Sequence, residues 1–207
     1  MSDVALIIIA KDPLPGRCKT RLCPPCRPEQ AAALAEAALR DTLDVLRSVP
    51  ARRHVLVLDG DGSRWGASGL EILAQRGEGL DERLEHAFAD VGGPALLVGM
   101  DTPQLTAGLL REGIAALVDH DAVLGPATDG GYWSVGLRAP VPGAFRGVPM
   151  SAPDTLARQR GRFAALGLAI HEQSTLRDID TIADARAVAA LAPRSRFAAA
   201  LAEVVAG

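Results

Sequence analysis

The sequence lacks the features that mark several protein classes. It has no basic excess: 22 Lys and Arg stand against 25 Asp and Glu, a formal net charge of -3. That excludes a general nucleic-acid binder and leaves any small anion to be met by a local cluster of cations. No apolar run approaches the roughly 18–20 residues that span a bilayer. The opening MSDVALIIIAKD has no basic segment, and its apolar stretch is only a strand long. No secretory signal and no membrane partner are therefore expected, and the expected location is cytoplasmic. Cysteine is scarce and odd in number, so Cys18, Cys23 and Cys26 do not suggest a disulfide framework. Their C-x4-C-x2-C spacing matches part of an iron–sulfur ligand set. A fourth cysteine is absent and the nearest histidine is His54, so they read as three thiols on a Pro-rich loop. Aromatic residues make up only 3% of the chain, which makes an adjacent pair of them informative.

What is present is core-forming material: 48% of the 207 residues are apolar, enough for one sizeable domain over residues 1–207. Val4–Ala10 is a continuous Ile-rich run and reads as a buried parallel strand. Lys11–Pro28 reads as a loop, and Pro28–Ser48 as a long helix with Glu29 in its first turn. Strands are expected at His54–Leu58, Leu70–Ala74, Ala95–Val98, Ala122–Leu124 and Leu168–His171. Helices are expected at Leu80–Val91, from a Thr106 cap to about Val118, at Asp154–Leu166 and at Thr181–Leu191, with an Ala-rich helix last. Strands alternating with helices predict an α/β domain with a mostly parallel sheet covered on both faces. Ligands of such sheets bind beyond the carboxyl ends of the strands, so the polar residues just after strands carry the function.

Four segments stand out. KDPLPGRCKTRL follows the first strand and carries Lys11, Arg17, Lys19 and Arg21, with Pro13, Pro15 and Gly16 restricting its shape. Cations and backbone N–H groups are what a triphosphate requires. The loop is neither a Walker A sequence nor G-x-G-x-x-G. GMDTPQL places Asp101 at the end of a buried strand, where it can hold Mg²⁺ or cap the next turn. GPATDGGYWSVGL offers a turn at Asp129, Gly130 and Gly131 with Tyr132 and Trp133 beside it, as an acceptor-facing wall or as a hairpin with its aromatics in the core. LRDIDTIAD alternates Asp178 and Asp180 around Ile179, so both share a face if extended; Asp180 is preferred as a metal ligand because a helix then begins at Thr181, with Asp184 placed to complete its cap. Asp59-Gly60-Asp61 spells a metal-binding D-x-D pattern, but a plain turn explains it.

Taken in order, K-x-P-x-P-G-x-x-K-T-R-L, G-x-D-x-P-x-L, G-P-A-x-D-G-G-Y-W-x-x-G-L and D-I-D-T resemble an uncharacterised bacterial family of GT-A-type, glycosyltransferase-like proteins. Some of its members are labelled arsenosugar-biosynthesis or radical-SAM-associated transferases. KTRL, G-x-D-x-P-x-L and D-I-D-T are also similar to motifs of phospholactate guanylyltransferases, and the last two to molybdenum-cofactor nucleotidyltransferases. The resemblance implies a Rossmann-like GT-A fold with the Gly-rich third segment in a smaller acceptor-side sheet. It also implies phosphate contacts from Lys19, Arg17 and Arg21, and Mg²⁺ (or Mn²⁺) on Asp101 and Asp180. Two departures are Ile182, where Pro commonly follows the Thr, and Met150, where Trp is more usual; the latter puts the acceptor in question.

The expected function is Mg-dependent nucleotidyl transfer from an NTP to a small phosphorylated or phosphonate acceptor. The alternatives are glycosyl transfer from a nucleotide sugar and non-catalytic nucleotide binding. Lys19, Arg17 and Asp101 are the candidate catalytic residues. Lys11, Pro15, Gly16, Arg17, Lys19 and Arg21 are expected at the nucleotide, and Asp129, Gly130, Gly131, Tyr132, Trp133 and Ser151 at the acceptor. The partners expected are these two small molecules and no nucleic acid, with a homodimer left open.

Overall fold

The computed structural model describes residues 3–66 and 69–206. Its elements run β1 (Ala5–Lys11), α1 (Pro28–Arg47), β2 (His54–Asp59), β3 (Glu71–Ala74), α2 (Leu80–Val91), β4 (Ala95–Gly99), α3 (Ala107–Asp119), β5 (Ala122–Pro126), β6 (Tyr132–Leu137), α4 (Thr155–Ala165), β7 (Ile170–Glu172), α5 (Ile182–Leu191) and α6 (Arg196–Ala206). Short 3₁₀ turns at Thr20–Leu22 and Gly62–Trp65 follow β1 and β2 in the chain.

The strands form one seven-stranded sheet in the order β3-β2-β1-β4-β6-β5-β7. β1 is parallel to β2 and β4, β2 to β3, and β5 to β7, while β6 runs antiparallel to both β4 and β5. Among the described residues the smaller separate sheet expected for the Gly-rich segment is therefore not formed. β6 folds back from β5 through a tight turn and inserts between β5 and β4, which brings that segment into the main sheet.

β1 shows why its sequence is apolar throughout. Leu6, Ile8 and Ala10 face a layer with Leu39, Leu43 and Leu46 of α1 and Leu110 and Leu117 of α3. Ala5 and Ile7 face the opposite layer with Leu84 and Phe88 of α2 and Phe163 of α4. A strand buried on both faces has no polar positions to alternate with. Phe88 stacks on Phe145 at 5.3 Å between ring centroids. On its outer side α1 carries Leu34 and Ala38 against Val188 of α5 and Phe197 of α6, a third apolar cluster. No helix among the described residues is long and apolar enough to cross a membrane.

Because the chain leaves β1 toward β2 on one side and later returns to β4 on the other, the carboxyl ends of β1 and β4 flank a topological switch point. That is where an open α/β sheet leaves a crevice for a ligand.

Candidate active site

A cleft of about 670 Å³ opens at this point, within the range of small-molecule sites. Its walls carry Lys11 from the end of β1, Arg17, Lys19 and Arg21 from the loop that follows, Asp101 from just after β4, Asp129, Gly131, Tyr132 and Trp133 around the start of β6, Ser151, and Asp178 and Asp180. All four segments read from the sequence thus meet in one place. Pro15, Gly16 and Gly130 do not line it. Gly16 is exposed at φ +72°, where it turns the loop. Gly130, at φ +92°, has the Pro153 carbonyl oxygen 2.0 Å from where a Cβ would stand, so only glycine fits this turn.

Lys19 has a left-handed backbone, φ 48° and ψ 35°, unusual for a residue with a side chain. That conformation sends its ammonium inward. It donates to the Ile179 carbonyl and lies 2.9 Å from Asp101 Oδ1. The Asp101 oxygen is buried and accepts no hydrogen bond, so the ammonium holds it by charge rather than by an aligned N–H. No hydrogen bond from the following turn caps Asp101 among the described residues. Arg21 pairs with Asp180. Lys11 and Arg17 have no side-chain ion pair among the described residues, and Lys11 and Lys19 are the only lysines of the chain.

The carboxylates are gathered by backbone contacts. Ile179 N–H donates to the Asp101 carbonyl at 3.1 Å, and the Gln104 side-chain amide donates to the Arg177 carbonyl at 2.5 Å. These two bonds lay residues 177–180 along the turn after β4. The α5 cap is supplied by Thr181, whose hydroxyl accepts from Asp184 N while Asp184 accepts from Thr181 N–H at 2.9 Å. Asp180 is therefore released from capping. Asp178 is half-buried, and burial together with the negative charge of Asp129 pushes its carboxyl up to about 6. The Asp101 charge adds to this rise and Lys19 opposes it. Asp178 lines the cleft with Asp180 and joins it as a candidate cation ligand.

These donors fit a hard divalent cation: carboxylate oxygens, one buried without a hydrogen bond, and a second carboxylate whose charge is disfavoured by burial and by its like-charged neighbours. No preassembled set of three or more His, Cys, Asp or Glu side chains is present among the described residues. A cation held by these carboxylates would need further oxygens, such as substrate phosphates, to complete its shell. The cysteines occupy different surroundings. Cys18 packs in the α1–sheet layer and donates to the Leu14 carbonyl, while Cys23 and Cys26 belong to the cluster with α5 and α6. Burial raises the Cys18 and Cys26 thiols.

On the far wall, Trp133 is 3% exposed, packs in the core and donates to the Ser174 carbonyl at 3.1 Å. It lines the floor of the cleft as a core residue. Tyr132 is half-buried, with its hydroxyl 3.4 Å from Gln159 Oε1 and 3.6 Å from Met150 Sδ. Burial, with a smaller contribution from Asp81, raises its phenol. Ser151 sits exposed at φ 59°. Sequence reasoning missed the opposite wall, where Arg83 bonds Asp59 Oδ2 at 3.1 Å and Gln75 Oε1 at 3.0 Å, with Glu78 and Leu80 beside it. Asp59 is thus spent on Arg83, and Asp61 accepts from Ser63 N–H at 2.9 Å as a plain turn. The signal available for the missed wall was the position of GEGLDER just after β3.

Fold and cleft together define a transferase with a GT-A-like nucleotide-binding domain. Residues 34–152 match the family described as uncharacterized protein conserved in bacteria, DUF2064, and the chain belongs to that family. It is 33% identical over 200 residues to a phosphoenolpyruvate guanylyltransferase of Streptomyces avermitilis, covering 92% of this chain and 91% of that protein. A crystal structure from Desulfovibrio desulfuricans, assigned as a nucleotide-diphospho-sugar transferase, superposes with a TM-score of 0.90 at 28% identity, covering 100% of this chain and 96% of that one. The fold is shared with 2-C-methyl-D-erythritol 4-phosphate cytidylyltransferase from Thermus thermophilus, at a TM-score of 0.60 and 16% identity over 93% of this chain and 100% of that one. The guanylyltransferase relative supports nucleotidyl transfer in general.

Proposed function

We propose that the protein is a divalent-metal-dependent nucleotidyltransferase acting from an NTP on a small phosphorylated or phosphonate acceptor. The observation that carries the reading is the meeting of a cationic loop with two or three carboxylates in one cleft. Lys11, Arg17, Lys19 and Arg21 would bind the triphosphate. Asp101 with Asp180 or Asp178 would hold Mg²⁺ or Mn²⁺, which would neutralise charge on the transferring phosphate. An acceptor oxygen forms a bond to the α-phosphorus, the bond to the β-phosphate oxygen breaks, and pyrophosphate leaves. An ionised phosphate or phosphonate oxygen needs no proton removed, so the residues position charges and supply no nucleophile. Tyr132, Ser151 and Asp129 would face the acceptor. The guanylyltransferase relative points to GTP as the first nucleotide to try.

Glycosyl transfer from a nucleotide sugar is the second reading, favoured by the likeness to the Desulfovibrio structure along the whole chain. A diphosphate sugar carries less charge than an NTP, and four cations from one loop suit the triphosphate better. A thermal-shift panel of NTPs against UDP-, GDP- and ADP-sugars, with and without Mg²⁺, separates the readings. A ligand at 100 times its dissociation constant adds about 2.7 kcal/mol. Stabilisation by one NTP with Mg²⁺, and pyrophosphate release once an acceptor is supplied, are the expected results. Stabilisation by a nucleotide sugar with release of a nucleoside diphosphate would replace this reading with the second.

A further inference from the structure

We infer that the cleft carries a charge latch that makes its divalent cation and its nucleotide bind as a cooperative pair; the inference rests on the nucleotidyltransferase reading. The cations of the loop fall into two kinds. Lys11 and Arg17 reach the cleft with no ion-pair partner among the described residues. Lys19 and Arg21 are each held by a carboxylate proposed to bind the metal: Lys19 lies 2.9 Å from Asp101, and Arg21 pairs with Asp180. The Lys19 side chain is 11% exposed, so little water is at hand to replace its partner.

Each ligand arriving alone meets a penalty. A cation entering alone draws the Asp101 carboxylate away from Lys19, weakening the hold on a nearly buried ammonium whose other partner is the Ile179 carbonyl. A triphosphate drawing Lys19 and Arg21 to itself leaves Asp101 with a bare buried oxygen, next to Asp178 and facing a polyanion. Arriving together, the cation takes the carboxylates and the phosphates take the ammonium and guanidinium, so every charge changes partner and none is stranded. Lys11 and Arg17 are free to make first contact with the phosphates. Coupling between sites of this kind is commonly about 5–150-fold and acts equally in both directions.

The test titrates Mn²⁺ alone into the wild type, Lys19→Met and Arg17→Met, reading free Mn²⁺ by electron paramagnetic resonance. Arg17→Met removes the same charge from the same loop without freeing a carboxylate, and so measures the screened background effect. Lys19→Met is expected to bind Mn²⁺ alone about tenfold more tightly than the wild type, with a much smaller gain in Arg17→Met. In the wild type, a GTP analogue with a methylene bridge between its α and β phosphorus atoms is expected to bind at least about fivefold more tightly with Mn²⁺ than in EDTA. Chelation of Mn²⁺ by the phosphates also contributes to that gain, so the latch is read from the variants; if Lys19→Met fails to fold, Arg21→Met, which frees Asp180 at an exposed pair, repeats the comparison against Arg17→Met with the same tighter Mn²⁺ binding expected. Equal Mn²⁺ affinity in wild type and Lys19→Met, equal gains in both variants, or metal-independent nucleotide affinity would overturn the latch while leaving the transfer reading intact. Absence of Mn²⁺ binding in every form, with and without nucleotide, would overturn both.

Discussion

Asp178 concentrates the conflict between stability and use. Its carboxyl is pushed up to about 6 by burial and by Asp129, while an unfolded Asp titrates near 3.9. Stability from the protonated form is present below about pH 4, is lost as pH rises toward 6, and stays lost above it. Asp178→Asn should therefore match the wild type near pH 4 and gain stability at pH 7.5. With the group partly solvated, the gain is of the order of 1 kcal/mol, or about 2–4 °C in a chain of this size. Thermal melts of metal-free protein at the two pH values check this, and the same variant should lose transfer activity. Lys19→Ala should lower the rate by about 10²–10³ if the ammonium contacts the transferring phosphate; full activity would remove Lys19 from the mechanism. The sequence placed Asp178 and Asp180 on one face if their stretch is extended, and both line the cleft. The Thr181–Asp184 cap was also legible, because it is local. That Arg21 takes Asp180, and that Asp129 lies near enough to repel Asp178, was not legible, because those partners come from segments far apart in the chain.

Caps and turns place the site at the level of elements. Thr181→Ala removes the cap of α5 and should cost about 1 kcal/mol, measured by denaturant unfolding. Because α5 starts directly after Asp180, nucleotide affinity should fall as well. Gly130→Ala puts a methyl group against the Pro153 carbonyl at a positive φ and should destabilise by about 1–3 kcal/mol or more, weakening the acceptor wall before the phosphate loop. The elements themselves were readable because their signals are local: β1 is a two-faced apolar run, α2 runs from Leu80 to Val91 as its periodicity predicts, and Thr106 caps α3. The loop after β1 was read only as irregular; its 3₁₀ turn and the left-handed Lys19 have no equivalent sequence signature. The pairing of β6 was not readable, because strand order depends on long-range contacts. Gly125 gives its reason in hindsight: a Cβ there would lie 2.5 Å from the Trp133 ring and 2.3 Å from Ser134 Oγ, so the glycine makes room for β6.

For the whole molecule, a single sheet brings chemistry from positions 11 to 180 into one crevice, and the chain's other cationic chemistry is almost entirely arginine. Its two lysines, Lys11 and Lys19, both line that crevice, and this near-exclusive choice has a practical consequence. Apart from the terminal amine, an acylating or aldehyde reagent has no primary amine to modify outside the cleft. General amine chemistry thus becomes a probe of the proposed nucleotide site in this protein. Exposed Lys11 should label first and nearly buried Lys19 later, with a nucleotide–metal complex shielding both and intact-mass spectrometry counting the adducts.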